Sequence, residues 1–241
     1  MNRATNAIIM AAGIGSRMQP ITDKIPKPLV PVRGRRMIDT IISALHHNGI
    51  REIYVVVGYL KEQFAALPKE YPGLHIIENP DFSISNNISS LYYAREHLGN
   101  SIILDGDQII VDPEILRPQF SRSCYCCRWT ETPTTEWLLT LRDDTVVHCS
   151  RTGGTRGWEL HSVSFWSEVD CQKLRAHLEY EYNTKNNREI YWDDVALFCH
   201  PEDYQLGVRP MPEGSLVELD SYEELCAWDR TYGAQERKGK P

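Results

Sequence analysis

No apolar run in the chain approaches the ~20 residues that a membrane-spanning helix needs, so no membrane span is expected. The opening residues, Met1 to Asn6, lead into a strand rather than into the apolar core of a secretory leader. Basic charge is also in short supply. Against 26 Lys and Arg stand 33 Asp and Glu, a net charge of −7, which argues for no nucleic-acid partner bound through a broad basic surface. Metal-knuckle cysteine spacing is missing: the seven cysteines are odd in number, and Cys124, Cys126 and Cys127 crowd a strand-like stretch without a two-residue spacer. They read as reduced packing residues in a cytoplasmic protein. Internal repeats and low-complexity linkers are absent too, which favours one domain over residues 1–234 and a tail at 235–241. A homo-oligomer is compatible with all of this.

Two familiar glycine motifs are lacking as well. After Gly13-Ile14-Gly15 the third glycine of a dinucleotide fingerprint would fall where Met18 stands, and no Gly-Lys-Ser/Thr follows four spacers on as in a P-loop. What is there is a strand-like run, Ala7 to Ala12, that stops at Gly13-Ile14-Gly15-Ser16-Arg17 and continues to Pro26-Lys27-Pro28. A turn without side-chain bulk lets backbone N–H groups approach an anion, while Arg17 and Lys27 supply the charge that a polyphosphate needs. Alone the turn is an ordinary strand end; with Lys27 it reads as a phosphate site.

Apolar runs then alternate with helical spacing. Met37, Ile38, Ile41, Ile42 and Leu45 mark a helix, Ile53 to Val57 a buried strand, and Leu60 to Leu67 a short helix stopping before Pro68. Leu74 to Glu78 is a strand, Ile88 to Leu98 a helix, and Ser101 to Leu104 a strand. From residue 120 short strands follow one another at Ser123–Trp129, Trp137–Leu141, Thr145–Cys149 and Ser162–Trp166, then helices over Val169 to Tyr182, Asp193 to His200 and from Ser221 through Trp228. The fold class is α/β: a Rossmann-like mixed, mostly parallel sheet with helices on both faces and antiparallel additions in the second half. Ligands of such sheets sit at the carboxyl ends of the strands.

Asp105-Gly106-Asp107 follows one of those ends directly. A glycine between the acids lets the backbone turn so that the second carboxylate projects over the strand end, a placement that suits Mg²⁺ with its few carboxylates and phosphate oxygens. Asp193-Asp194 could supply another ligand, or simply cap a helix. These parts allow nucleotidyl transfer, in which a phosphate or phosphonate oxygen attacks the α-phosphorus of a nucleoside triphosphate and pyrophosphate leaves. Such an oxygen is largely ionised at pH 7, its second pKa being about 6, so no general base is required. The eight histidines are accordingly read as structural or surface residues.

With these motifs in place the chain resembles the nucleotidyltransferase superfamily that activates sugar 1-phosphates, the nucleotide-diphospho-sugar transferase-like fold. Where sugar enzymes carry a Gln-Pro motif, it has Asn86-Asn87-Ile88-Ser89-Ser90-Leu91. It looks instead like the bacterial choline-phosphate cytidylyltransferases, through Thr135-Glu136-Trp137, Val163-Ser164-Phe165-Trp166, Tyr191-Trp192-Asp193 and Glu213-Gly214-Ser215 with Glu218 and Asp220. That resemblance implies CTP held by Ala11, Ala12, Gly13, Ile14, Gly15, Ser16 and Arg17, with Asn87, Ser90 and Asp105 near its cytosine and ribose. It implies Arg17 and Lys27 as the catalytic cations, and Mg²⁺ on Asp107 and Asp193. Trp137, Tyr191 and Glu218 would surround an ammonium head, which makes physical sense because aromatic faces attract a quaternary cation. Residues of about 1–112 would bind the nucleotide and those of about 113–234 the acceptor. The expected acceptor is phosphocholine, giving CDP-choline; 2-aminoethylphosphonate or phosphoethanolamine is the alternative. A sugar 1-phosphate enzyme and a catalytically silent nucleotide-sensing module stand behind both. Ser162, where a glycine is usual, would narrow the pocket beside the head group.

Overall fold

The structure, a computed structural model, describes residues 1–236. The apolar runs form strands β1 (Asn6–Ala11), β2 (Glu52–Val57), β3 (Leu74–Glu78) and β4 (Ser101–Asp105), with helices α1 (Met37–His47) and α2 (Ile88–Ala94) between them. β1 pairs in parallel with both β2 and β4, and β2 with β3. As the central strand it is buried at every position, which is why it reads as a continuous apolar run rather than an alternating one. Alternate residues go to opposite faces. Ile9 and Val55 meet Ile38, Ile41 and Leu45 of α1 on one side; Ile8 and Val56 meet Ile88 and Leu91 of α2 on the other. Each such side chain taken fully out of water contributes about 1.5–3 kcal/mol.

The second half adds β5 (Gln108–Ile110), β6 (Cys124–Thr130), β7 (Leu138–Arg142), β8 (Thr145–Ser150), β9 (Gly157–Trp166), helix α3 (Glu168–Glu179), β10 (Gly207–Pro210), β11 (Leu216–Glu218), and helices α4 (Tyr222–Trp228) and α5 (Arg230–Glu236). β9 joins the two halves by pairing antiparallel with β4, from Val163 opposite Leu104 to Trp166 opposite Ser101. The path of the sheet runs β8-β7-β9-β4-β1-β2-β3, with β6 and β10 attached beyond β9 in a nine-stranded whole. The mixed α/β architecture expected from the sequence is therefore the one observed. β11 pairs with β5, setting Glu218 opposite Gln108; this short ladder carries the last part of the chain to the end of β4.

Several expected boundaries move. β9 starts five residues before Ser162, because the acidic Glu159 that made this stretch look unlike a strand is buried and held by Arg128 at 2.9 Å. The helix expected over Leu60 to Leu67 is a 3-10 turn, Lys61–Phe64, followed by a four-residue helix, Leu67–Glu70, that contains Pro68 in its first turn, where a missing N–H costs nothing. α2 closes at Ala94 and continues as a 3-10 turn. α3 ends at Glu179 and widens into a π turn, Tyr180–Thr184; this carries Glu181 inward, where Lys185, Asn187 and His200 satisfy its carboxylate. The expected Asp193 to His200 helix is a short turn, Trp192–Asp194, followed by a π turn, Val195–Cys199. Of the tail expected at 235–241, the first two residues close α5 and the rest lies outside the described residues. The cysteines are free, and Cys124, Cys126, Cys127, Cys149 and Cys171 are buried packing residues, as expected.

Candidate functional site

β1 ends at Ala11 and the chain turns across the strand ends. Gly15 has φ +67°, in the left-handed region, and a Cβ there would meet Lys27 Cβ and Thr22 Cγ2 at 3.1 Å. Thr22 Oγ1 donates to Gly15 O at 2.8 Å and locks the turn. Space above Gly13 is open. Lys27 lies almost buried, its Nζ 2.7 Å from Asp107 Oδ2 and 2.9 Å from Asp220 Oδ1; Arg17 Nη2 stands 3.1 Å from that same Asp220 oxygen. Burial works against the Lys27 ammonium, but Asp107 and Asp220 outweigh it and raise its pKa. Burial likewise opposes the Asp220 carboxylate, and Lys27 with Arg17 holds it below the usual range. Both catalytic cations expected from the sequence are thus gathered on one aspartate.

Gly106 lies at the turn expected after β4. It is needed there for room as well, since a Cβ would meet Ala11 Cβ and Met10 O at 3.1 Å and Pro28 Cγ at 3.2 Å, and its N–H donates to Met10 O at 2.8 Å. The end of β1 and the turn at Pro28 close over it. Burial, with Asp107 and Asp193 adding to it, drives the Asp105 carboxyl well above its ordinary value. Of the second acidic pair, Asp194 takes the capping role: its Oδ2 accepts the Tyr191 N–H at 2.9 Å and its Oδ1 pairs with Arg151 at 2.5 Å. Asp193 is freed from that duty. Its Oδ1 is buried without a hydrogen-bond partner of good geometry, and burial, opposed by the Tyr125 hydroxyl, lifts the carboxyl to about 7. An orphaned carboxylate oxygen in a cavity that Asp107 also lines fits a hard divalent cation, which would be held by Asp107 and Asp193.

Two cavities meet here. One, of about 310 Å³, is lined by Ala11, Ala12, Gly13, Gly15, Ser16, Arg17, Lys27, Asn87, Ser90 and Asp105, the stretch expected to hold a nucleotide. Ile14 is the exception, being exposed and outside the lining of either cavity. The other, of about 260 Å³, collects Trp137, Tyr191, Glu218 and Asp193, and shares Arg17, Asn87, Asp105, Asp107 and Asp220 with the first. Trp137 meets Tyr191 edge to face at 5.7 Å and 87°, and Phe198 at 5.6 Å and 89°. Ser162 lines this cavity as expected.

Glu136 and Asp220 also line the second cavity, without a role having been given them from sequence. Both stood inside motifs already singled out: Glu136 beside Trp137, Asp220 two residues after Glu218. His161 is a further omission, its Nδ1 3.5 Å from Glu218 Oε2, while Gln108 Nε2 donates to Glu218 Oε1 at 2.8 Å. Six acidic side chains, Asp105, Asp107, Glu136, Asp193, Glu218 and Asp220, line this cavity with Arg17 as its one cation among the described residues, so the cavity favours added positive charge.

Residues 7–158 match the MobA-like NTP transferase domain. A 2-aminoethylphosphonate cytidylyltransferase from Lancefieldella rimae is 40% identical over 230 residues, covering 95% of this chain and 93% of that protein. A choline-phosphate cytidylyltransferase from Streptococcus pneumoniae is 33% identical over 218 residues, covering 90% and 94%. A solved structure of the CTP:phosphocholine cytidylyltransferase from Streptococcus pneumoniae superposes with a TM-score of 0.87 at 31% identity, covering 95% of this chain and 99% of that one. On the strength of the matching domain, these full-length relatives and the shared fold, the chain belongs to the MobA-like NTP transferase family and is a nucleotidyltransferase of its cytidylyltransferase-like branch.

Proposed function

We propose that the chain moves CMP from CTP onto a small acceptor that joins a phosphonate or phosphate to a primary ammonium, with 2-aminoethylphosphonate as its substrate. This reverses the order expected from sequence, where phosphocholine came first. One observation carries the reversal: Glu136 and Glu218 line the same cavity. Glu136 is exposed at the rim of the cavity; partial desolvation there raises its carboxyl, and the Glu218 charge adds to it. A primary ammonium has three N–H donors and can bond both carboxylates, whereas a quaternary one has none and needs ring faces. Trp137 and Tyr191 stand edge to face, and Arg151 already lies 5.6 Å from the Trp137 ring. The 40% relative carries the phosphonate name, the 33% relative the choline one. Phosphocholine remains the second reading, supported by those two aromatic rings. A sugar 1-phosphate has no cation for this acidic cavity, and a silent sensor has no use for Arg17, Lys27, Asp107 and Asp193 lining two adjoining cavities.

In the reaction a phosphonate oxygen attacks the α-phosphorus of CTP, a new P–O bond forms, and the α–β bridging bond breaks with its electron pair leaving on pyrophosphate. The attacking oxygen is already ionised, so no residue removes a proton. Lys27 and Arg17 neutralise charge gathering on the phosphoryl oxygens, while the loop at Gly13 brings backbone N–H groups to the phosphates. Mg²⁺, when bound at Asp107 and Asp193, supplies further neutralisation of phosphate charge. Glu136 and Glu218 orient the acceptor by its far end.

Pyrophosphate release with CTP tests this. Turnover is expected with 2-aminoethylphosphonate in preference to phosphocholine, and Glu136→Gln is expected to raise the KM for the phosphonate about 10- to 100-fold, the worth of one charge-assisted hydrogen bond, while phosphocholine is little affected. Preference for phosphocholine with an indifferent Glu136→Gln would move the assignment to the second reading. Failure with every amino-phosphonate and amino-phosphate would end it.

A further inference from the structure

Beside Ala12 and Gly13 a smaller pocket of about 160 Å³ opens off the nucleotide cavity, walled by Asn87, Ser89 and Ser90 of α2 and its start and by Asn79. Hydrogen-bond polarity in this pocket is set from behind. Asn79 is 2% exposed, and its Oδ1 accepts the Asp81 N–H at 2.9 Å, which orients the amide. Its Nδ2 therefore donates, to Ser89 Oγ at 2.9 Å and to Ser90 Oγ at 3.0 Å. Ser89 passes its own proton on to Asn86 O at 2.8 Å. The Ser90 hydroxyl makes no other hydrogen bond among the described residues, so its proton is available to the cavities it lines. Asn87 is oriented in the same sense, because the Trp192 N–H donates to its Oδ1 at 2.9 Å and leaves Nδ2 unengaged at the cavity wall. The wall thus offers two donors, with one lone pair of Ser90 Oγ already taken by Asn79.

We propose that Asn79 is a positioning residue for base choice. By donating to Ser90 it takes one lone pair and offers the hydroxyl proton no acceptor on its inner side, which biases that proton toward the cavity, and Ser90 with Asn87 then presents a donor pair complementary to the adjacent O2 and N3 acceptors of cytosine. Uracil keeps the O2 acceptor but carries N3–H, which would set donor against donor. This rests on the reading of the 310 Å³ cavity as a CTP site. The Asn86 carbonyl and the Asp81 N–H serve as the outer ends of the chain of bonds, so the polarity runs from backbone to base through two side chains.

Asn79→Asp isolates the effect. The shape and the Oδ1 that receives Asp81 N–H persist, but the carboxylate cannot donate, so Ser90 turns its proton back and shows lone pairs to the base. The kcat/KM ratio for CTP over UTP is expected to fall about 10- to 100-fold in this variant, through KM for CTP, with kcat nearly unchanged and with the melting temperature confirming a folded protein. Asn79→Ala, measured alongside in case the buried acid unfolds the chain, leaves Ser90 free to rotate and is expected to lose most of the same discrimination. Ser89→Ala, whose hydroxyl ends on Asn86 O, should leave the ratio where it was. An unchanged ratio in folded Asn79 variants, or an equal loss for both nucleotides as a merely structural role would give, overturns the proposal. Direct binding of CTP and UTP to the unaltered protein separates the two layers: no preference for CTP there removes the cytidylyl reading itself, whereas a preference that survives in the Asn79 variants removes only the role of Asn79.

Discussion

Lys27→Met is expected to lower kcat about 10²- to 10³-fold, the cost of removing one preorganised charge from a phosphoryl-transfer centre. The ammonium is the most enclosed cation of the site, 6% exposed and bonded to both Asp107 and Asp220. Methionine reproduces its length and apolar stem, so the loop should keep its course. Asp107 and Asp220 retain enough solvent access, with side chains 34% and 38% exposed, to be hydrated when the ammonium is gone, and Arg17 still pairs with Asp220. Lys27→Arg should not restore activity, because a planar guanidinium fork cannot reproduce the compact ammonium that meets Asp107 Oδ2 at 2.7 Å and Asp220 Oδ1 at 2.9 Å at once. Single-turnover pyrophosphate release measures the loss; activity within a few-fold of the unaltered protein would remove Lys27 from the chemistry.

Asp193→Asn should separate function from stability. Turnover is expected to fall by at least about 10²-fold at every Mg²⁺ concentration, since the substitution removes a charged ligand from the cation site. The metal-free fold, however, is expected to gain. Asp193 is buried with an unpartnered oxygen, and its carboxyl is raised from an ordinary 3.8 to about 7. An acid whose folded pKa is raised binds more protons folded than unfolded, so it favours folding at low pH and its contribution is lost as pH climbs from about 3.8 toward about 7. In chelator at neutral pH the amide should raise the melting temperature by roughly 2–4 °C, the shift that about 1 kcal/mol gives at this size. Added Mg²⁺ should stabilise the unaltered protein and leave Asp193→Asn unmoved. A variant that melts lower in chelator and responds to Mg²⁺ as before would contradict the assignment.

Legibility from sequence followed burial. β1, β2 and β4 are covered on both faces, and continuous apolar runs made them plain; the loop from Gly13 to Lys27 was plain because glycine and cation stood together in sequence. β9 was half hidden, because its Glu159 is neutralised by Arg128 from β6, a partner 31 positions away. β5 and β11 are three residues each and owe their existence to one another, so no local period could announce them. Gly106 was legible as a turn residue, but not its crowding by Ala11, Met10 and Pro28, because the end of β1 and the Pro28 turn meet there only in the fold. Glu136 and Asp220 went without roles for a similar cause. Nothing in a single chain distinguishes an acid that faces a cavity from one that faces water until β11 and the turn before β7 are set beside β4. Asp193 and Asp194 illustrate the same limit, since capping and ligand were read as alternatives for one pair and the fold gives capping to one and an unpartnered oxygen to the other.

The most direct test is phosphorus NMR of the product formed from CTP, 2-aminoethylphosphonate and Mg²⁺. The phosphonate resonance should be replaced by a phosphonate coupled through oxygen to the cytidine α-phosphorus, with one pyrophosphate appearing for each phosphonate consumed. An unreacted phosphonate, under conditions in which phosphocholine is converted to a coupled diphosphate, would contradict the account.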